Sequence, residues 1–148
     1  MARLVFDEQR RLLDWAGACL DTEFGDEARA IGLEGPNGLR AVSVFNHFTE
    51  GDCQIHIATT NTGFAMTLPF IRASFIFPFV QLRQRRLTGL VQASNERALR
   101  FDLKLGFKIE GRQRETHEND DTILVGMLRR ECRFIPHEAR DWKGSPHG

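Results

Sequence analysis

The 148 residues include no tyrosine, which excludes a phenolic proton donor from any chemistry this chain performs. Cysteine is nearly as scarce. Cys19, Cys53 and Cys132 stand far apart, which speaks for reduced thiols and against a disulfide frame or a structural zinc site. Neither sign of charge is in excess: 20 basic and 20 acidic residues balance. No long-range field gathers nucleic acid or an anionic membrane, so phosphate binding has to be local. Long apolar runs are also missing. No stretch approaches the roughly 18 apolar residues of a membrane span. The charged N-terminus has no apolar run of the secretory type, so a cytoplasmic address is expected.

What is present is a chain of single-domain length, enough to bury about two-thirds of its unfolded surface. One domain is expected over residues 1–135. An irregular, partly mobile tail is expected over 136–148, where periodicity fades around Trp142, Gly144 and Pro146.

Asp7 is placed to cap a first helix, in which Leu12, Leu13, Ala16, Cys19, Leu20 and Phe24 recur at helical spacing until Gly25 ends it. Ala28 to Gly35 and Leu39 to Phe48 read as strands joined by Pro36-Asn37-Gly38, whose Asn-Gly pair supplies the positive φ angles of a hairpin turn. Thr49 to Asp52 makes a second tight turn. Cys53 to Thr60 is a third strand, with Ile55 and Ile57 on one face and Gln54 and His56 on the other.

Thr62 to Arg83 is apolar and helical in period. Pro69 suits the first turn of a helix, whereas Pro78 in a helix interior costs about 3 kcal/mol and is expected to kink or divide it. Leu87 to Ala93 is a strand. Lys108 to Glu115 and Thr122 to Arg129 are two more, around the polar turn Thr116 to Asp120, and the second has the apolar content of a central strand. Arg83, Arg85 and Arg86 form a basic cluster, for which simple solvation is the ordinary reading.

The most informative stretch runs from Ser94 to Phe107. Asn95 is a good N-cap, Glu96 suits the positive helix end, and Ala98, Phe101 and Leu105 share one face. Gly106 sits where a left-handed C′ residue is wanted, with Phe107 placed for the accompanying apolar contact.

This run resembles motif B of the GNAT superfamily of N-acyltransferases, roughly Asn-x-x-Ala-x-x-Leu-Tyr-x-Lys-x-Gly-Phe. Asn95, Ala98, Lys104, Gly106 and Phe107 match it. Phe101 stands for the Leu, and Asp102 stands where the family often has the Tyr that protonates the departing thiolate. The element order agrees over about residues 5 to 133. Balanced charge, short length and a kinked Phe-rich helix resemble small GNAT-like proteins of bacterial and phage genomes.

The resemblance implies an α/β (α+β) fold with a mixed, mostly antiparallel central sheet flanked by helices. It also implies splayed strands, here Cys53 to Thr60 and Leu87 to Ala93, that form an acyl-CoA cleft. Unpaired backbone groups there would meet an extended, amide-bearing ligand. Acetyl-CoA is the implied acyl donor, with no metal, and an amide near Ile57 or Ala58 would face the thioester oxygen. The pyrophosphate loop falls on Thr62, Gly63, Phe64, Ala65, Met66 and Thr67. Ala65 and Thr67 replace the family's glycines, and the basic residue is missing at Thr62. Asn95 is a further candidate cofactor contact.

His56 is the candidate general base, with an ordinary pKa near 6.5 and an expected rate inflection at about pH 6 to 7.5; His47 and His117 are weaker. Asp102 is the candidate acid, provided burial lifts its pKa well above the usual value near 3.9. The implied activity is acetyl-CoA-dependent N-acyl transfer to a primary amine of a small molecule or protein. The alternative is a catalytically silent GNAT fold serving as a binding or assembly module. No nucleic-acid or membrane partner is expected, and a homodimer remains open.

Overall fold

The computed structural model describes residues 2–60 and 66–142. Strand β1 (Arg3–Val5) leads into helix α1 (Gln9–Leu20), followed by β2 (Arg29–Gly35), β3 (Gly38–Asn46) and β4 (Asp52–Thr59). Helix α2 (Leu68–Ile76) continues as a π-helical turn, Phe77–Gln81. Then come β5 (Arg86–Gln92), α3 (Glu96–Leu105), β6 (Lys108–His117), β7 (Asp120–Leu128), a 3-10 turn (Arg129–Glu131) and α4 (His137–Arg140). The strands form one sheet in the order β1-β2-β3-β4-β5-β7-β6. Every pair is antiparallel except β4 with β5. This is the mixed, mostly antiparallel sheet that the sequence implies.

Strand alternation divides the core in two. On one face Phe45, Phe70, Phe75, Phe79, Leu87, Val125 and Met127 pack beneath α2, the π turn and α3. Phe75 stacks on Phe134 with ring centroids 5.2 Å apart. On the other face Leu12, Leu13 and Ala16 of α1 cover Val42, Val44 and Ala58. Each buried Val, Leu, Phe or Met side chain among these contributes about 1.5–3 kcal/mol.

Helix α1 departs from its expected ends. Glu8, not Asp7, is the N-cap, with φ 54° and no side-chain capping bond. The start is held instead by Gln9, whose amide donates to the carbonyl of Ala30 at 2.9 Å and accepts from its N–H at 2.7 Å. The helix ends at Leu20 because Asp21 turns left-handed (φ 53°) and returns its N–H to Gly17, so Gly25 lies beyond the stop.

In the β2–β3 hairpin Gly35 pairs with Gly38 around Pro36-Asn37, and the positive φ falls on Gly38 (112°), not on Asn37. Pro78 has no amide to continue the α-helical ladder. The chain widens there into the π turn, in which Leu82 N–H reaches the carbonyl of Phe77 at 3.0 Å. The last hairpin turns tightly at Glu118-Asn119, and both flanking strands run further than expected.

The segment after Pro136 is not irregular throughout. It forms α4, buries Ala139, and places the carbonyl of Trp142 2.9 Å from Arg129 Nη2. Strand β1, absent from the expectation, is a three-residue edge beside β2. The opposite edge, β6, is solvent-exposed along nearly its whole length and carries register shifts at Ile109/Gly111 and Gln113/His117. Among the described residues no helix is long and apolar enough to cross a membrane.

Helix α3 matches its sequence signals at both ends. Asn95 Oδ1 accepts the N–H of Ala98 at 3.2 Å, and Gly106 (φ 115°) lets Phe107 N–H return to the carbonyl of Asp102 at 3.1 Å. Asn95→Ala is expected to lower stability by about 1 kcal/mol through the lost cap, read as a shifted urea midpoint at unchanged slope.

Candidate active site

The central parallel pair is short. β4 meets β5 at Asp52↔Arg86, Cys53↔Leu87 and Gln54↔Thr88. Beyond Thr88 the two strands part: β4 continues along β3 to Thr59, and β5 continues along β7 to Gln92. A wedge-shaped gap therefore opens inside the sheet, edged by residues 55–59 and 89–92, with Ile57 and Ala58 on its β4 side. Its closed end is clamped by polar contacts. Thr88 Oγ1 donates to Asp52 Oδ1 at 2.8 Å and accepts from Arg86 Nε at 3.0 Å, while Arg86 Nη2 meets Glu110 Oε1 at 2.7 Å.

His56 lies on the α1 face of β4. Its Nε2–H donates to Asn46 Oδ1 at 2.9 Å, which leaves the Nδ1 lone pair as the proton acceptor. Phe24 covers the ring at a centroid distance of 5.4 Å. Burial, and secondarily the charge of His47, pushes the imidazole pKa down to about 4, well below the ordinary value read from the sequence. Phe24 is itself held by Arg10, whose Nη2 donates to the Phe24 carbonyl at 2.8 Å while its other nitrogens pair with Asp14 and Asp26 at 2.9 Å.

Asp102 lies on the other face, on α3. Its Oδ2 sits above Gly89, 3.9 Å from where a Cβ on that glycine would lie. Gly89 is the first residue of β5 beyond the pairing with β4, so this carboxyl stands at the root of the gap. Burial raises its pKa to about 7, the condition under which an aspartate can donate a proton near neutrality. A side chain on Gly89 would also meet Val125 Cγ2 at 2.9 Å, so the strand has to be bare here.

The remaining candidates separate. Thr62, Gly63, Phe64 and Ala65 lie outside the described residues. Met66 packs against the core, and Thr67 caps α2 by accepting the Phe70 N–H at 3.4 Å. Pro69 has no N–H, so Leu68 supplies the one first-turn amide that neither proline nor the cap removes. Asn95 is a helix cap. Asn46, Phe24, Arg10 and Gly89 escaped sequence reading. Of these, Asn46 alone left a signal, since the turn at 49–52 fixes a register that sets residues 44, 46, 54 and 56 on one face.

No protein-family model and no curated protein matches the chain. Solved structures do. A point variant of the spermidine N-acetyltransferase SpeG from Vibrio cholerae is 13% identical over 93% of this chain and 98% of that one, with a TM-score of 0.71. The dodecameric spermidine N-acetyltransferase from Vibrio cholerae is 13% identical over 86% and 93%, with a TM-score of 0.70. A chimera of the Vibrio cholerae enzyme and hSSAT is 13% identical over 86% and 95%, with a TM-score of 0.69. With a sheet parted between its central parallel strands and these neighbours along nearly its whole length, the chain has the fold of the GNAT N-acetyltransferases.

Proposed function

We propose that the chain is an N-acyltransferase that moves an acetyl group from acetyl-CoA to a primary amine. The observation that carries the reading is the parted β4–β5 pair with the Asp102 carboxyl at its root. An extended pantetheine arm bears amides that suit the unpaired strand edges. The N-terminus of α2, capped by Thr67, offers positive dipole for the pyrophosphate. The amides near Ile57 and Ala58 are assigned to the thioester oxygen.

In the reaction the amine nitrogen bonds to the thioester carbon, the carbon–sulfur bond breaks, and the thiolate needs a proton. Asp102 supplies it. An acid of pKa about 7 is well matched to a thiolate whose conjugate acid lies near 8.5. His56 serves the amine differently from an ordinary general base. With a pKa of about 4 it is neutral throughout the working range and too weak to hold an alkylammonium proton. Its Nδ1 orients the amine by accepting a hydrogen bond, directly or through one water, and the proton passes to solvent. An imidazole of this pKa gives no rate inflection near pH 6 to 7.5, the range of an ordinary histidine base. The acceptor enters from the α1 face, past Phe24 and the acidic side chains of Asp21 and Glu23. A cationic aliphatic amine fits this approach, and the similar solved enzymes are named for spermidine.

Calorimetric titration with acetyl-CoA and with CoA is the direct test; no heat at millimolar ligand would overturn the reading. Once an amine is accepted, log kcat should bend downward above about pH 7 as Asp102 ionises. Asp102→Asn should lose that bend and roughly 10²-fold in kcat, since thiolate departure is the easier proton transfer. A variant keeping both rate and profile would remove Asp102 from the chemistry.

The same two groups pull stability in opposite directions. The folded pKa of His56 is depressed from 6.5, so its contribution is complete above pH 6.5 and is lost as pH falls toward about 4. The folded pKa of Asp102 is raised from 3.8, so its contribution is complete below pH 3.8 and is lost as pH rises toward about 7. Between pH 4 and 6.5 the two slopes offset. Relative to wild type, urea midpoints of His56→Gln should therefore fall with rising pH across this window, and those of Asp102→Asn should rise.

A further inference from the structure

At the end of the sheet opposite the gap, the first residues of β4 and β5 and the last of β7 border an open cavity of about 870 Å³. The size is within the range of small-molecule sites. Along β5, Arg86 at the cavity stands about 10 Å from Gly89 at the root of the gap, at the rise of an extended strand. In a chain of zero net charge, the cavity concentrates cations: Arg85, Arg86, Arg129, Arg130 and Arg140 face the carboxylates of Asp52 and Asp141.

The two acids leave a cationic excess, since five guanidinium groups line the cavity against Asp52 and Asp141. Asp52 is engaged by Thr88 and Arg86, and Arg86 is committed to Glu110. Arg129 forms the floor, 4% exposed, with Nη1 donating to the carbonyls of Arg83 and Gln84 at 2.9 Å and Nη2 to that of Trp142. Arg83 lies over the Trp142 ring at 4.2 Å and adds a further positive charge beside the floor. Burial, with Arg83 and Arg85 nearby, lowers the pKa of Arg129, as expected where like charges crowd. Arg85 lies against the bare backbone of Gly51, where an added Cβ would collide with its guanidinium. Among the described residues Arg85, Arg130 and Arg140 make no ion pair, and Arg140 Nε is buried without a hydrogen-bond partner.

We propose that this cavity is a second ligand site, separate from the acyl-CoA gap, for a small anion carrying two or more linked phosphates. Guanidinium forks match phosphate oxygens in pairs and shed their hydration readily. Three guanidinium groups that make no ion pair among the described residues, set against the carboxylate of Asp141, favour a ligand of several negative charges, and linked phosphates offer their forks oxygens in pairs. The cavity's volume leaves room for an organic group beyond the phosphates.

The test is calorimetric titration of the full chain with inorganic tripolyphosphate at low salt, repeated on variants of the cavity's arginines and with citrate as a carboxylate control. The expected result is tripolyphosphate binding that depends on these arginines and is favoured over citrate. Arg85→Ala with Arg130→Ala should weaken it by about tenfold or more. Arg130→Ala alone, on an exposed side chain, keeps the test available if the double variant is unfolded. No binding by wild type, or full affinity in the variants, would each overturn the proposal. Equal binding of citrate would overturn its assignment to phosphate. Because the arginine variants report on this cavity and leave the gap untouched, failure here is distinguishable from failure of the acyl-transfer reading.

Discussion

The parting of β4 from β5 is the constraint on which the rest of the molecule depends. Each strand is bound along its outer side, β4 to β3 through Thr59 and β5 to β7 through Gln92, so neither can lean across to close the wedge. At the base, Asp52, Thr88, Arg86 and Glu110 tie β4, β5 and β6 into one polar knot. An unmade backbone hydrogen bond costs about 1–3 kcal/mol when buried, so parting two central strands is a cost that packing elsewhere has to offset. The Phe-rich layer under α2 and the π turn supplies the burial that stabilises such an arrangement.

Two titratable groups on opposite faces gain their character from packing. The Phe24 ring and a buried position hold His56 neutral, whereas the surroundings of α3 hold Asp102 protonated to about pH 7. Asp102 thus stays protonated to near neutrality because of where it is packed.

The local signals in the sequence were sufficient wherever the structure is decided locally. Asn95, Gly106 and Phe107 fix both ends of α3, and Gly38 fixes the first hairpin. Elements decided by distant contacts were not legible. Strand β1 exists because Arg3 to Val5 find β2, and α1 stops early because Asp21 accepts a left-handed angle that glycine would have advertised. Helix α4 is set by the burial of Ala139 and by the reach of Arg129 to Trp142. The placement of His56 and Asp102 on strand and helix could be read from pattern. Their shifted pKa values could not, since both come from burial among residues remote in sequence.

The margins of the sheet have a consequence for what the interior can accept. One border is a strand of three residues, and the other is a charged, bulged ribbon facing water. Short, charged or bulged borders discourage a foreign strand from joining. A chain with a strand's hydrogen-bonding habit is therefore turned away at the rims, and the parting of the sheet lies inside, between β4 and β5. The molecule is built as a ladder with guarded rails and a parted centre, and resistance to an aggregating neighbour is written into its backbone.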